Sequence, residues 1–260
     1  MKEEVILKLK TIIKSSKSIV FFGGAGVSVP SGIPDFRSAD GIYIKARNAK
    51  YSAAQIVSHS FFYTYPDVFY DFYISKMVNL KAKPNVVHHY LANLEAKGLL
   101  KAVITQNIDG FHPMAGSQNV FELHGSIHRN YCTKCRKFFD ASVLKQGQVP
   151  YCNNCGAIIK PEVVLFEEGL DQHTITNAIT AIRQADTLII GGTSLIVQPA
   201  ASLVNYFQGK NLVIINKETH ALSYYLTIEP LYIVSDIAKV FDSLIELKKT
   251  KESSNTFNDN

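Results

Sequence analysis

The 260-residue sequence predicts an α/β fold in which helices cover both faces of a buried parallel sheet. Three observations indicate it. Short apolar, β-branched runs recur along the chain, helix-like stretches lie between them, and polar clusters follow directly where the apolar runs end. Two segments, at about residues 39–82 and 128–160, interrupt this alternation. We expect them to form a smaller domain beside the sheet.

The predicted strands are near-continuous apolar runs, which are typical of strands buried on both faces. They are SIVFF (18–22), KAVIT (101–105), TLIIGG (187–192), NLVIIN (211–216) and LYIV (231–234). The predicted helices are 83–98, 174–185, 198–208 and 236–249. In the first of these helices a proline stands near the start and Gly98 lies just past the end, the usual asymmetry of helix termini. The polar stretch 251–260 is predicted to be a disordered tail.

The composition is ordinary for a globular protein, with 47% apolar and 19% charged residues. No apolar run approaches the roughly 18 to 20 residues of a membrane span, and the N-terminus lacks the features of a secretion signal. A cytoplasmic protein is the simplest interpretation. The net charge of +5 is mild and the lysines are scattered, so we interpret them as a solvated surface.

The four cysteines form two C-x2-C pairs and predict a zinc site. Cys132 and Cys135 make the first pair, Cys152 and Cys155 make the second, and 16 residues separate the pairs. Four thiolates complete a closed tetrahedron with no position for a catalytic water, so the predicted zinc is structural. Disulfides are the alternative, which the expected cytoplasmic location disfavours.

Polar clusters follow all five predicted strands. They are GGAGVSVPSGIPDFR, QNIDGFH, GTSLIVQPA, NKETH and SDI, in chain order. In an open parallel sheet, ligands bind outside the carboxyl ends of the strands. We therefore expect one pocket to receive all five clusters.

The first cluster suits a phosphate, although an ordinary tight turn also explains it. Gly24, Ala25 and Gly26 leave backbone N–H groups accessible to a pyrophosphate, and Ser28 is placed to donate a hydrogen bond. Val29 stands where the dinucleotide fingerprint needs glycine or alanine, which disfavours a hydride-transferring dehydrogenase. The GTSL turn suits ribose and phosphate, and Asn216 ends the next strand, where a ribose or adenine group can be held.

The second cluster and the ELHG motif supply groups for chemistry. Asn107 and Asp109 are two residues apart, so both point to one side of an extended strand end, where a polar turn is the alternative. His124 is a candidate general base, although a lone histidine is more often structural. The sequence contains no Ser–His–Asp signature, no H-E-x-x-H motif and no P-loop lysine. We infer that bound substrates react with each other rather than with a protein nucleophile.

These motifs together resemble a known family. GAGVSVPSGIPDFR, TQNIDGFH, ELHG, the paired C-x2-C, GTSLIVQPA and IIN are similar, in this order, to the signature of the sirtuins, NAD-dependent protein-lysine deacylases. The resemblance covers about residues 5–245 and is to a bacterial-type minimal core.

The resemblance implies a Rossmann-like NAD-binding domain and a small domain made of a four-cysteine zinc module and a helical module. The Rossmann-like domain is expected to comprise 1–38, 84–127 and 161–250, the helical module 39–83 and the zinc module 128–160. NAD and acyl-lysine would enter the cleft between the domains. The acyl oxygen would attack the nicotinamide ribose as nicotinamide leaves, giving an alkylimidate, so NAD would be consumed and the acyl group would pass to ADP-ribose.

The resemblance also implies residue roles. His124 matches the general base, with Asn107 and Asp109 as further catalytic residues. The positions that match NAD contacts are Gly24, Ala25, Gly26, Ser28, Val29, Asp35, Phe36, Arg37, Gln106, Asn107, Ile108, Asp109, Gly192, Thr193, Ser194, Val197, Asn216, Lys217 and Ile237. The positions that match substrate contacts are Val164, Phe166, Tyr73 and Lys76.

Three positions depart from the family pattern. Gly23 replaces the usual threonine or serine before GAG. Glu167 stands at the glycine of the peptide-binding motif V-x-F-G-E, and we hypothesise that it narrows substrate choice. Tyr73 and Lys76 resemble a Tyr-x-x-Arg pair that binds acidic acyl groups in one sirtuin branch, with lysine in place of arginine.

Two other functions remain open at this point. An ADP-ribosyltransferase or NAD hydrolase would break the same bond on the same scaffold, and the altered peptide strand keeps it open. A zinc-ribbon module that binds nucleic acid would leave the five converging clusters unexplained. We expect an acyl-lysine protein or peptide as substrate, no membrane association, no specific nucleic-acid binding and a monomer.

Overall fold

The computed structural model describes residues 3–35, 50–218 and 228–255. Phe36 and Arg37 lie outside the described residues. The helices are α1 (Glu3–Ser15), α2 (Ala53–Ile56), α3 (His59–Thr64), α4 (Pro66–Lys76), α5 (Val86–Ala96), α6 (Phe111–Met114), α7 (Gln172–Gln184) and α8 (Ile237–Asn255). The strands are β1 (Ile19–Gly23), β2 (Leu100–Thr105), β3 (Val120–Glu122), β4 (Gly125–Cys132), β5 (Phe138–Phe139), β6 (Ile159–Val163), β7 (Thr187–Gly191), β8 (Asn211–Asn216) and β9 (Leu231–Val234).

The large sheet has six strands in the order β3-β2-β1-β7-β8-β9, and every neighbouring pair is parallel. The predicted parallel sheet is confirmed. In β1, Phe22 lies between Ile104 of β2 and Ile190 of β7. The five predicted strands correspond to β1, β2, β7, β8 and β9, and the short strand β3 forms the edge beside β2. Their carboxyl ends therefore point to one side of the sheet.

Both faces of the sheet are covered, as the continuous apolar runs predict. Successive residues of β1 face opposite sides, so Phe21 belongs to one core cluster and Phe22 to the other, and both are fully buried. The helices α1, α5 and α8 cover the first face. The helix α7 and a 3₁₀ helix, Ala200–Tyr206, cover the second.

The helix ends follow capping chemistry. Asn85 accepts a hydrogen bond from the Val87 N–H and so starts α5, and Gly98 follows its end with φ +71°. Asp171 accepts from the Thr174 N–H at the start of α7. The helix predicted at 198–208 is instead the 3₁₀ helix, in which Ser202 N–H bonds to the Pro199 carbonyl at i−3 spacing.

The last helix reaches into the stretch that the sequence predicts to be a disordered tail, which stays a prediction. Helix α8 continues to Asn255, so residues 251–255 are helical, and 256–260 lie outside the described residues. The hydrophobic face of α8 carries Ile237, Val240, Phe241 and Leu244 into the core. Extending the helix beyond this face requires no further core contact, because each added residue closes one more backbone hydrogen bond.

The small domain joins a three-stranded antiparallel sheet to the aromatic-rich helices. The sheet has the order β5-β4-β6 and carries the cysteines. The helices α2, α3 and α4 pack Phe62, Phe69 and Tyr73 into a core cluster that also contains Ile127 of β4 and Val163 of β6. The zinc module and the helical module therefore share one core, and the predicted fold class is confirmed.

The domain boundaries proposed above stay a prediction. The small sheet extends past two of them, since β4 starts at Gly125 and β6 ends at Val163. Among the described residues, no helix has both the length and the apolar character needed to cross a membrane.

Candidate active site

Two strand-end loops are packed against each other at glycines. The N–H of Gly26 donates to the Gly192 carbonyl at 2.8 Å, and the N–H of Gly24 donates to the Gly191 carbonyl at 3.2 Å. A Cβ on Gly26 would lie 2.8 Å from the Gly192 Cα, which is closer than real Cβ contacts allow. The glycines are therefore required for loop packing. The N–H groups of Gly24 and Gly26 are engaged within the protein, and the expected contact of this loop with a pyrophosphate stays a prediction.

Ser28 connects the loop after β1 to the loop after β2. Its side chain is 1% exposed, and its Oγ donates to Asp109 Oδ2 at 2.6 Å while accepting from Asn107 Nδ2 at 3.0 Å. In this structure the hydroxyl therefore donates to Asp109, and its expected contact with the cofactor stays a prediction. Asn107 and Asp109 converge on Ser28, as their spacing on one side of the strand end predicts.

Asp109 is held by three hydrogen bonds. Its Oδ2 accepts from Ser28, its Oδ1 accepts from the Phe111 N–H at 3.0 Å, and its carbonyl accepts from His128 Nε2 at 3.0 Å. Burial raises the pKa of the carboxyl above its usual value, although the hydrogen bonds from Ser28 and from the Phe111 N–H, together with the electrostatic interaction with His128, act in the opposite direction. The site therefore contains a carboxyl that is harder to ionise than a surface aspartate.

His124 is oriented by one backbone contact. Its Nδ1 lies 2.8 Å from the carbonyl oxygen of Gln106. Because a carbonyl oxygen only accepts, Nδ1 carries the proton and the lone pair of the neutral ring is on Nε2. Burial lowers the pKa of His124 below its usual value. The ring is therefore neutral at pH 7 and has a basic nitrogen available.

Residues at the carboxyl ends of β7 and β8 extend this hydrogen-bond network along the edge of the sheet. Thr193 Oγ1 bonds to Gln106 Oε1 at 3.3 Å, and Asn216 Nδ2 donates to the Thr193 carbonyl at 2.9 Å. The Nε2 of Gln106 is buried and has no hydrogen-bond partner among the described residues. A buried amide donor without a partner is costly, so this position fits the acceptor of a bound ligand such as NAD.

The remaining predicted cofactor residues occupy different environments. Lys217 Nζ pairs with Asp236 Oδ2 at 3.0 Å, and Ile237 is buried in the core. Positions that are half-buried at the strand ends are Ala25, Val29, Asp35, Ile108, Ser194 and Val197. The structure thus brings the first four clusters together, and the pair of Lys217 and Asp236 joins the fifth cluster to the fourth.

The predicted peptide segment is a strand-like stretch between the two domains. The Val164 N–H donates to the His124 carbonyl at 3.0 Å, so this segment starts at the candidate base. The N–H of Phe166 donates to Val57, and its carbonyl accepts from the His59 N–H at 2.9 Å. The backbone of Phe166 is therefore paired with the helical module, while its side chain is 46% exposed.

Glu167 takes the backbone conformation that a glycine would supply. Its φ of +75° is left-handed, which is uncommon for a residue with a Cβ. Its Oε2 accepts from the Ser60 N–H at 2.9 Å and its Oε1 from Ser60 Oγ at 3.0 Å. Glu168 binds His59 Nδ1 at 2.8 Å and Lys160 Nζ at 3.0 Å. Both carboxylates therefore connect the segment to its neighbours.

Tyr73 and Lys76 differ in exposure. Tyr73 is fully buried, stacks on Phe69 with ring centroids 5.4 Å apart, and has no hydrogen-bond partner for its hydroxyl among the described residues. Lys76 is exposed at the end of α4. Burial raises the pKa of the Tyr73 hydroxyl. Among the described residues, no hydrogen bond joins Tyr73 to Lys76. Their role in binding an acidic acyl group stays a prediction.

The four cysteines form one cluster with the dimensions of a zinc site. Their Sγ atoms all lie within 4.8 Å of one another, with Cys132 and Cys155 3.3 Å apart and Cys135 and Cys152 3.6 Å apart. A tetrahedron with Zn–S bonds of about 2.3 Å has sulfur atoms about 3.8 Å apart, so the donor set fits the ion. The cysteines are not joined as disulfides.

Comparison with known families decides the relationship. A model of the Sir2 family matches residues 24–199, which include the first loop, His124, the cysteines and the third loop. The chain belongs to the Sir2 family.

Several curated relatives are similar over most of their length. An NAD-dependent protein deacetylase of Clostridium perfringens is 58% identical over 219 residues, which cover 84% of this chain and 90% of the relative. One from Clostridium acetobutylicum is 51% identical over 242 residues, covering 92% of this chain and 98% of the relative.

Solved Sir2 structures share the fold. A Sir2 complex with a deacetylated p53 peptide and 3'-O-acetyl ADP ribose is 37% identical with a TM-score of 0.83, covering 95% of this chain and 98% of that chain. A Sir2 complex with a p53 peptide and NAD+ is 37% identical with a TM-score of 0.80, covering 96% of this chain and 100% of that chain.

Sequence reasoning missed two contacts of this Sir2 site. No sequence motif predicts a role for His128, and none predicts the anchoring of Glu167 at Ser60. The contact of His128 joins a loop to a strand 19 residues later, and no local pattern predicts it. The one available signal is Gly110 directly after Asp109, because a glycine there indicates a positive φ or a close neighbour.

Proposed function

We propose that this Sir2 chain is an NAD-dependent protein-lysine deacetylase, which transfers the acyl group from lysine to ADP-ribose and releases nicotinamide. The observation that carries the proposal is the position of His124. A neutral imidazole with its lone pair on Nε2 adjoins the segment that begins at Val164, at the strand ends where the unpartnered Gln106 amide lies. Relatives at 58% and 51% identity are NAD-dependent protein deacetylases.

NAD would supply the glycosidic bond that is broken and the ribose that receives the acyl group. His124 would accept a proton at Nε2 from a ribose hydroxyl, because its Nδ1–H already donates a hydrogen bond to the Gln106 carbonyl. Asn107 and Asp109 would orient the nicotinamide end, and Ser28 would act by fixing these two side chains. No protein nucleophile is required in this scheme.

The cofactor contacts are a proposal at the level of single residues. Gln106 would donate its free Nε2–H to NAD, and Thr193 would hold the Gln106 amide in position. Asn216 would fix the Thr193 loop, with the adenosine end beside it. Lys217 would have to leave Asp236 in order to contact the ligand, so we expect it to contribute less.

The acyl-lysine peptide would add as a strand beside Val164–Phe166. The backbone of Phe166 pairs with the helical module, and Leu165 bonds to Glu168 through both its N–H and its carbonyl, so the incoming peptide would have to share or replace some of these bonds. Glu167 keeps the left-handed φ that glycine would adopt, so the substitution does not require a different backbone.

The four thiolates of Cys132, Cys135, Cys152 and Cys155 would hold a zinc ion with a closed shell. When bound, the ion supplies structural stability and no Lewis-acid position. The cytoplasmic location, the monomeric state and the absence of specific nucleic-acid binding stay predictions.

Mass spectrometry of an acetyl-lysine peptide incubated with the protein and NAD tests the proposal, with His124→Ala as the control. We expect loss of acetyl matched by nicotinamide and acetyl-ADP-ribose, and neither in the control. Release of nicotinamide from NAD while the peptide keeps its acetyl group would overturn the proposal. Free ADP-ribose would then indicate an NAD hydrolase, and a mass gain on protein would indicate an ADP-ribosyltransferase.

A further inference from the structure

Strand β4 contains an irregularity that faces the candidate active site. Ser126 pairs with Glu162 of β6 and Asn130 pairs with Pro161, so three residues of β4 lie between two consecutive residues of β6. Such a bulge bends a strand and redirects its side chains, and bulges are common beside active sites. The three displaced residues, 127–129, are therefore free to contact something other than β6.

Two of these residues hold the loop that carries Asn107 and Asp109. The Ile127 N–H donates to the Ile108 carbonyl at 2.9 Å, and His128 Nε2 lies 3.0 Å from the Asp109 carbonyl. Since a carbonyl only accepts, the Nε2 of His128 carries the proton and donates. The bulge thus satisfies two consecutive carbonyls of the loop.

The ring of His128 also fits against Gly110. A Cβ at Gly110 would lie 2.6 Å from His128 Cδ2, and Gly110 has a φ of +73°. A residue with a side chain would therefore both strain the backbone and displace the ring. Strand β4 ends at Cys132, four residues after His128, so one short strand joins the cysteine cluster to the loop.

We propose that His128 is a positioning residue of the deacetylase, which fixes the Asn107–Asp109 loop by its hydrogen bond to the Asp109 carbonyl. The inference rests on the proposed function only for its kinetic readout. His128 acts on the reaction through Asp109, whose carboxylate is held by Ser28 and the Phe111 N–H. Its loss leaves the Asp109 carbonyl, on an 8% exposed residue, without this donor.

The test compares His128→Phe, which keeps a ring but removes the donor, with His128→Gln, whose amide reaches about as far as Nε2. His89→Gln, on the exposed side of α5, is the control. The measurements on zinc-loaded full-length protein are zinc content, amide hydrogen exchange over 106–111, and kcat and KM for NAD and for the acetylated peptide. His128→Asn provides a second loss of the hydrogen bond if the phenylalanine variant does not fold, because its amide is too short to reach.

We expect His128→Phe and His128→Asn to keep their zinc, to exchange amides of 106–111 faster, and to lose about fivefold in kcat/KM for NAD, with peptide KM unchanged. His128→Gln should stay within about twofold of the wild type. Wild-type exchange and kinetics in both loss variants would overturn the proposal, as would a glutamine variant as impaired as they are. A wild-type protein without deacetylase activity would instead contradict the proposed function, and the exchange measurement would still decide the role of His128.

Discussion

At the scale of single residues, the site is set by burial together with a few directed hydrogen bonds. His124 has a lowered pKa because its ring is buried, and one carbonyl decides which nitrogen is basic. Asp109 has a raised pKa for the same reason. Burial therefore moves the two pKa values in opposite directions, because in each group it disfavours the charged form.

The first prediction concerns the acid limb of the pH–rate profile. If His124 must be neutral to act as a base, activity falls as pH drops through its folded pKa, which burial has moved below 6.5. Burial moves the pKa of Asp109 upward from 3.8, so its ionisation would contribute a second limb on the acid side. We expect the midpoint of the acid limb of log kcat/KM for NAD to lie below pH 6.5, with circular dichroism showing that the fold persists. A limb at or above pH 6.5 would contradict the burial argument.

Sequence reasoning located the residues of the site better than it explained them. Asn107, Asp109 and His124 are predicted as candidates because each follows an apolar run at the edge of a parallel sheet, and their roles stay predictions. The hydroxyl of Ser28 was expected to meet phosphate, but it is buried and donates to Asp109. That outcome depends on a contact across 81 residues, which only the packing of two loops determines.

At the scale of elements, the segment Val164–Glu168 connects three parts of the molecule. It bonds to His124 at one end, pairs with residues 57–59 in its middle, and contacts Ser60 and Lys160 through its two glutamates. The hydrogen bond from the backbone N–H of Ser60 is the largest cause of the lowered pKa of Glu167. The Glu167 carboxylate therefore lies near the start of α3. The segment is therefore fixed to the helical module by side chains.

The second prediction concerns this anchoring. Glu167→Gly keeps the left-handed backbone but loses both bonds to Ser60, so the segment should be held less firmly for the incoming peptide. We expect KM for the acetylated peptide to rise roughly threefold and KM for NAD to stay unchanged.

Ser60→Ala, which removes one of the two bonds, should give a smaller rise in the peptide KM. Ser75→Ala, an exposed serine on α4 that bonds only within its own helix, is the matched control. Steady-state kinetics with both substrates varied separates the effects. An unchanged peptide KM in Glu167→Gly would remove Glu167 from any account of substrate choice.

At the scale of the whole molecule, Arg129 joins the two sheets. Its Nη1 lies 2.7 Å from Glu122 of β3, and its Nε lies 2.8 Å from Glu162 of β6. Burial raises the pKa of Glu122 despite this partner. One guanidinium therefore connects the edge of the large sheet to the small sheet.

The third prediction follows from removing this guanidinium. Arg129→Met should lower the free energy of unfolding by about 2 kcal/mol, less than is typical of fully buried pairs because the arginine side chain is 37% exposed. Because the pKa of Glu122 is raised in the folded state, folding favours the protonated form of this carboxyl. The loss of stability should therefore be larger at pH 8, where Glu122 is ionised and would lack its partner, and should shrink as pH falls towards 4.5. Urea unfolding at pH 8 and pH 5 measures this. The double variant with Glu122→Gln should recover part of the loss, and a pH-independent loss would contradict the charge argument.

The fourth prediction concerns the metal. Metal analysis should find one zinc per chain. Chelation or Cys152→Ser should lower both the Tm and the deacetylation rate, because β4 connects Cys132 to the Asn107–Asp109 loop. Adding zinc back to chelated wild-type protein should restore both quantities, and magnesium should restore neither. Full activity in a zinc-free protein would show that the small sheet holds its shape without the ion.

The fold was more predictable than its junctions. Five apolar strands, with polar clusters after each, were enough to predict the parallel sheet and the edge that carries the site. The bulge of β4 and the 3₁₀ form of Ala200–Tyr206 were not predictable, because each depends on contacts between distant segments rather than on local periodicity.

The contact between the first and third loops limits how this sequence can vary. A methyl group on Gly24 would lie 2.7 Å from Thr193 Cβ, one on Gly26 would meet Gly192, and one on Gly192 would lie 2.6 Å from the Val27 nitrogen. No compensating change elsewhere can make room, because the obstructing atoms are mostly main chain. In a library of all single substitutions, these three glycines should form one intolerant group, while Gly147 and Gly156, whose added Cβ would meet nothing within 4 Å, should accept asparagine.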